Sequence, residues 1–178
     1  MTHGLSILTE KSCMKDKAFI DTNILVYLYS NSELEKQGSA RNLIFESDID
    51  IFISTQVLGE FTNVLYKKYD YSINTIKTAI TDFKNNFSVH SIKTETVERA
   101  LEMMQIYKYS YWDSLIIASA IENNCSVLYS EDLHHNQILE QKLRIINPFI
   151  LEDSSDSFTQ EDNDLDPTSN DESTDPIS

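Results

Sequence analysis

Short runs of β-branched and aromatic residues alternate along this chain with longer stretches of helical period, and that alternation leaves few architectures open. "AFI" (18–20) turns at Thr22 into a short helix, and "SELEKQGSARNLIFES" (32–47) places Leu34, Ala40, Leu43 and Ile44 at helical spacing. "IDIFIS" (49–54) is a β-branched run. It ends at Ser54 and Thr55, good N-caps for a helix over 56–69 whose Val57, Leu58, Phe61, Val64 and Leu65 share one face. A helix is predicted over 71–86, an alternating strand over 87–92, and a helix with a Thr cap and acidic first turn over 94–108. A strongly apolar helix (111–124), a buried strand "CSVLYS" (125–130) and a strand over 143–150 stopped by Pro148 complete the pattern. Strands alternating with helices predict an α/β fold whose parallel sheet is covered on both faces.

Composition narrows the organisation. The chain has 178 residues, room for one ordinary domain with a core. Its formal charge of -15 looks hostile to nucleic acid, yet residues 152–178 carry ten acids and no Lys or Arg. That segment is rich in Ser, Thr, Asn and Pro and cannot offset its ordering entropy by burial, so an acidic, disordered tail is expected there. The remainder, with 14 bases to set against its acids, is only mildly acidic. Residues 1–16 read as an N-terminal extension, with Met14 an alternative start, and residues 17–151 as the domain. Cys13 and Cys125 lack CxxC spacing, which fits a reduced, cytoplasmic chain better than a zinc or disulfide framework. The best apolar run, "LIIASAI" (115–121), is too short to cross a bilayer, and no membrane role is expected. Only three glycines occur, and no Gly-rich phosphate loop.

In such sheets ligands gather at the carboxyl ends of the strands. Asp21 follows the first strand, Asp132 follows "CSVLYS" by one residue, and Asp113 sits in the first turn of the apolar helix. Glu60 lies inside the helix after "IDIFIS" and leans back toward the same edge, because helical side chains tilt toward the N-terminus. Four carboxylates forced together repel one another unless a cation sits among them. Oxygen-only ligands favour Mg²⁺, with Mn²⁺ as an alternative, over zinc, and those ions suit phosphodiester hydrolysis.

These motifs resemble the PIN-domain nucleases, and within them the VapC-like ribonuclease toxins of bacterial toxin–antitoxin pairs. The resemblance spans about residues 17–149 and rests on "FIDTNILVYL", "STQVLGEFTNVL", "YWDSLIIASA", "VLYSEDL" and "INPF". It implies a PIN-like three-layer sandwich, with a central, mostly parallel sheet flanked by helices. Asp21, Glu60, Asp113 and Asp132 would take the family's acidic, metal-binding positions. Asn23 would be the polar companion that steadies the first Asp or a water at the metal. The implied activity is metal-dependent cleavage of single-stranded RNA, and the implied partners are a second copy of the chain and a small antitoxin protein. The rival readings are a PIN-like RNA-processing or RNA-binding scaffold without toxin role or cleavage, and a phosphoacceptor receiver domain. "VLYSED" lacks the Lys the receiver needs.

Other residues carry weaker expectations. Taken singly, Asp21 is a helix N-cap and Asp113 a partner for the helix dipole. Glu131 is expected to point away from Asp132 into solvent. His134 and His135 are read as an exposed polar pair opening a helix at "DLHHN", rather than as bases or phosphate contacts. Lys67 and Lys68, beside Tyr66 and Tyr69, suit either RNA phosphate or the end of their helix. Tyr111 or Trp112 could stack on a base, with core packing the commoner use of a Trp.

Overall fold

The structure, a computed structural model, describes residues 15–150; the N-terminal extension up to residue 14, Cys13 and the acidic tail lie outside them. In chain order the elements are β1 (Asp16–Ile20), α1 (Thr22–Tyr27), α2 (Leu34–Phe45), β2 (Ile49–Ser54), α3 (Thr55–Lys67), α4 (Ile73–Asn86), β3 (Ser88–His90), α5 (Thr94–Tyr107), α6 (Tyr111–Glu122), β4 (Val127–Tyr129), β5 (Ile138–Leu139) and β6 (Leu143–Ile146). The six strands form one sheet in the order β3-β2-β1-β4-β6-β5, parallel except where β5 pairs antiparallel with β6. The chain builds outward from β1 through β2 to β3, then returns to the other side of β1 with β4. That reversal opens a crevice at the carboxyl end of β1, where open α/β sheets hold their ligands.

The helices fall into two groups. α1 packs on α2 and α3, and α3 on α4, while α5 and α6 pack on each other and α6 lies against β2 and β4. β1 is buried where it meets its neighbours, with Phe19 and Ile20 fully enclosed, as expected of the central strand of a covered parallel sheet. The main core joins these residues to Ile24, Leu25, Ile53, Phe61, Leu65, Ile117 and Leu128. α6 buries an unbroken run from Ser114 to Ala120, so the helix carrying Asp113 is a central element rather than an amphipathic surface one.

The helix expected over 32–47 forms as α2, with Ala40 and Ile44 buried and Leu34 exposed. The segment after β4 departs from the expected pattern. "DLHHN" opens no helix: it is a turn leading into β5, a strand the periodicity does not announce. The Asn136 N–H donates to the Ile145 carbonyl at 2.8 Å, and the Ile145 N–H to the Gln137 carbonyl at 2.9 Å, so the segment is laid along β6. The β5–β6 hairpin closes through Glu140 and Gln141, both left-handed at φ 49° and 57°. β6 stops at Ile146 because the next N–H, that of Asn147, turns to His135 Nδ1 at 3.0 Å, and Pro148 follows without a donor. No helix among the described residues is long and apolar enough to cross a membrane.

Candidate active site

The carboxyl edge of the sheet holds a cavity of about 210 Å³ lined by Asp21, Thr22, Asn23, Glu60, Asn63, Val64, Trp112, Asp113, Ile116 and Asp132. All five residues singled out from the sequence meet here. They arrive from four separate places: the β1–α1 junction, the middle of α3, the first turn of α6 and the loop after β4. Among the described residues no Lys or Arg lines the cavity.

Asp21 ends β1 at the point where the chain turns into α1. Its N–H continues the sheet ladder to the Tyr129 carbonyl at 3.0 Å, while its Oδ1 accepts from the Thr22 N–H at 2.6 Å. The cap expected of Asp21 and its place in the acidic cavity are therefore the same conformation. Oδ2 accepts from the buried Ser130 hydroxyl at 2.7 Å, and Ser130 Oγ also receives the Asp132 N–H at 3.3 Å. One hydroxyl thus ties the end of β1 to the loop after β4. Burial, helped by the charges of Asp132 and Glu60, pushes the Asp21 carboxyl up from 3.8 to about 7, although the bonds from Ser130 and Thr22 pull the other way.

The other acids are held individually. Glu60 Oε2 accepts from the Thr22 hydroxyl at 2.7 Å and Oε1 from Gln56 Nε2 at 3.0 Å. Gln56 Nε2 also donates to the Trp112 carbonyl at 3.2 Å, while Gln56 Oε1 is buried without a hydrogen-bond partner. Asp113 Oδ2 accepts from the Ser110 hydroxyl at 2.7 Å, and Ser110 Oγ caps α6 by accepting from the Asp113 N–H at 3.2 Å. Asn23 serves the fourth acid rather than the first. Placed one residue into α1, it donates from Nδ2 to Asp132 Oδ2 at 2.6 Å and steadies the fourth acid, leaving the first to Thr22 and Ser130. Burial and the charges of Glu131 and Asp113 raise the Asp132 carboxyl, against the Asn23 bond and Lys36.

Glu131 corrects a further expectation. It does face away from the cavity, but into a clamp rather than solvent: it accepts from the Tyr27 hydroxyl at 2.5 Å and from Lys36 Nζ at 2.7 Å, and Lys36 donates to Tyr27 at 2.8 Å. The loop that carries Asp132 is thereby anchored to α1 and α2. His134 is exposed and tilted against Tyr109, His135 accepts from the Asn147 N–H, and neither lines the cavity. Lys67 and Lys68 end α3 away from the cavity, with Lys68 over the ring of Tyr69. Trp112 is 59% exposed at the cavity rim, which rules out core packing. Sequence reasoning missed Ser130, Gln56 and Asn63. Ser130 was legible as a small hydroxyl between an apolar strand and an acid, and Asn63 as a residue one helical turn beyond Glu60.

Among the described residues no three His, Cys, Asp or Glu side chains converge as a ready-made metal cage. Each carboxylate is turned instead to a hydroxyl, amide or backbone donor. The arrangement is a cavity with four acids, one of them buried and raised to about 7, and no basic side chain among the described residues lining it.

A parallel sheet ordered about a central first strand, with acids from four segments at its carboxyl edge, defines a class of α/β domain, and comparison with known proteins specifies it. The PIN domain family model matches residues 18–139, and the chain belongs to that family. Comparison with curated protein sequences finds no match. Among solved structures, a toxin–antitoxin complex from Klebsiella pneumoniae is similar at a TM-score of 0.56 and 23% identity, covering 74% of this chain and 97% of that one. The Mycobacterium tuberculosis toxin VapC20, described as cleaving the sarcin-ricin loop, is similar at 0.54 and 19%, covering 62% and 86%. DNA-bound VapBC from Salmonella typhimurium is similar at 0.50 and 18%, covering 73% and 96%.

Proposed function

We propose that the chain is a divalent-metal-dependent endoribonuclease that hydrolyses phosphodiester bonds of single-stranded RNA, using Mg²⁺ or alternatively Mn²⁺. The observation that carries the reading is the cavity itself: four carboxylates share it with no basic side chain among the described residues that line it, and burial holds the proton of one of them up to about neutral pH. A set of anions arranged in this way is costly without a cation. The donors are all oxygens, which suits Mg²⁺. That ion keeps several waters and needs only one or two direct carboxylates, so acids that line a cavity without closing on one point fit it. Asp21 and Asp113, with Glu60 and Asp132, are the residues that would hold it. A bound Mg²⁺ would supply Lewis-acid polarisation of a phosphoryl oxygen and shield the charge that builds up there.

The rest of the task falls to the chain. Ser130 and the Thr22 N–H fix the orientation of Asp21, the Thr22 hydroxyl and Gln56 that of Glu60, Asn23 that of Asp132, and Ser110 that of Asp113. Such positioning keeps the acids from collapsing onto other donors, as a site acting by preorganisation needs. Among the described residues no Ser, Cys or Lys lines the cavity, the Thr22 hydroxyl is engaged in donating to Glu60 Oε2, and the carboxylates are taken as metal ligands, so direct attack by water is the step proposed.

We further read the protein as the toxin of a toxin–antitoxin pair, acting in the cytoplasm as a homodimer and restrained by a small antitoxin protein. Its likeness to solved toxins and toxin–antitoxin complexes supports this. The test of the nuclease is cleavage of single-stranded RNA with Mg²⁺, with EDTA, and by Asp113→Asn. Cleavage should require the metal and fall by orders of magnitude in the variant, with its melting curve retained. Undiminished cleavage in EDTA, or wild-type rates in Asp113→Asn, would overturn the reading. RNA binding with no cleavage under any metal would leave a scaffold. For the toxin, growth arrest on expression should be relieved by a small protein encoded next to it, and light scattering should give twice the monomer mass.

A further inference from the structure

Beside the acidic cavity lies a second, more apolar recess of about 630 Å³, and the two share Glu60 and Trp112 in their walls. Tyr111, Ile92, Leu115 and Gly59 line it further. We propose that this recess is the seat of an unstacked nucleobase of the RNA strand, with Trp112 as the stacking platform that sets the strand's register on the acids. The proposal rests on the nuclease reading above and goes beyond it by naming the group that positions the substrate.

Three observations carry it. Trp112 is a large apolar side chain left 59% exposed, edge-on to Tyr111 at 5.1 Å, on the rim between the acids and the recess. Base–aromatic stacking uses an exposed ring face of this kind and tolerates any base. Second, the recess is mechanically joined to the chemistry: one amide, Gln56 Nε2, donates both to Glu60 Oε1 and to the Trp112 carbonyl, at 3.0 and 3.2 Å. Trp112 is also the immediate neighbour of Asp113 in the first turn of α6. A base on the indole would therefore hold its own phosphate at a fixed offset from the acids. Third, α3 carries a glycine, Gly59, on the wall of the recess, where a Cβ would meet nothing within 4 Å. A mid-helix glycine weakens a helix relative to alanine, and no contact within the protein requires this one. It leaves the wall open to a ligand. Because a base must leave its helix stack to lie in the recess, the substrate class is single-stranded RNA or an unpaired loop.

The chain has a single Trp, so its emission reports on this site alone. The experiment titrates wild-type protein in EDTA at low salt with a ten-nucleotide single-stranded RNA, and with the same backbone carrying abasic sugars. Cleavage of the first RNA is measured separately with Mg²⁺. The base-containing RNA should quench the emission saturably and the abasic one should not. Trp112→Ala should weaken binding about 5- to 150-fold, the loss of one base–aromatic stack, and Trp112→Phe should recover most of it. Gly59→Leu, which fills the recess and keeps the fluorophore, should weaken binding and suppress the quench. Cleavage with unchanged emission, or equal quenching by the abasic strand, would overturn the base site while leaving the nuclease standing. Emission that depends on protein concentration without RNA would assign the recess to a second copy and overturn it as well. Absence of both cleavage and quench would remove the two readings together.

Discussion

Asp21→Asn should make the metal-free protein more stable, by an amount that depends on pH. Burial raises this carboxyl from 3.8 to about 7, so between those values the folded protein holds a proton that the unfolded chain has released. Stability therefore falls as pH rises through that window; the penalty is absent below about 4 and complete above about 7. At about 1.4 kcal/mol per pH unit, the ionised form costs the fold roughly 4 kcal/mol above neutrality. An asparagine keeps the shape, its Oδ1 still accepts from the Thr22 N–H, and its amide can donate to Ser130 Oγ. Because the shifted value already contains the bonds from Ser130 and Thr22, the gain at pH 8 is that full cost, about 4 kcal/mol, or roughly 10–15 °C in melting temperature for a domain of this size. Melting by circular dichroism in EDTA from pH 4.5 to 8.5 reads it directly. The two curves should lie furthest apart at pH 8 and draw together toward pH 4.5, where the folded Asp21 is already neutral and the unfolded one begins to take up its proton. A gap independent of pH, or a variant less stable at pH 8, would refute the reasoning. Added Mg²⁺ should raise the wild type and leave Asp21→Asn nearly unmoved.

Other substitutions test the supports. Ser130→Ala removes the donor that lowers the Asp21 carboxyl and leaves a buried acid short of a partner; it should lower stability by about 1–3 kcal/mol in urea melts at pH 8, and less near pH 5. Glu131→Ala strips Tyr27 and Lys36 of their shared acceptor and should cost about 1–2 kcal/mol in the same melts while raising the rate of amide exchange over residues 131–136. Cys125 is buried and its thiol is pushed up to about 12, so iodoacetamide at pH 8 should leave the Cys125 peptide unlabelled in mass spectra until the fold is melted in urea.

How much the sequence disclosed varies with the physics of each feature. β1 and Asp21 were legible because an apolar run ending on an acid has few other uses, and α3 because its apolar positions recur on one face of the helix. The β5–β6 hairpin was not, since its turn is made by Glu140 and Gln141 instead of the Asn-Gly pair that announces such turns. That the four acids gather at one edge is legible in chain order, since Asp21 and Asp132 follow strands and Glu60 and Asp113 sit on helices that start from that edge. Their bonding does not: Asn23 reaches Asp132, not its sequence neighbour Asp21, and Glu131 finds Lys36 from α2, pairings between residues far apart in the chain. Trp112 shows the limit from the other side. An aromatic beside an apolar helix reads as core, and only its rotation about α6 exposes it.

The central position of β1 also governs when the site can exist. Ser130 reaches Asp21, and Asn23 reaches Asp132, across 109 positions of sequence, through a sheet in which β1 waits for β4 as its second neighbour. During synthesis the first three strands can pair while β1 still presents an unpaired apolar edge, the kind of surface that recruits other chains. Contacts of such long range form late and slowly. A chain released before β4 would own Asp21, Glu60 and Asp113 yet lack Asp132 and Ser130, so a prematurely terminated product would be a sticky fragment without a complete cavity. On the toxin reading proposed above, topology alone then acts as a delay: activity could arise only once nearly the whole domain has left the ribosome.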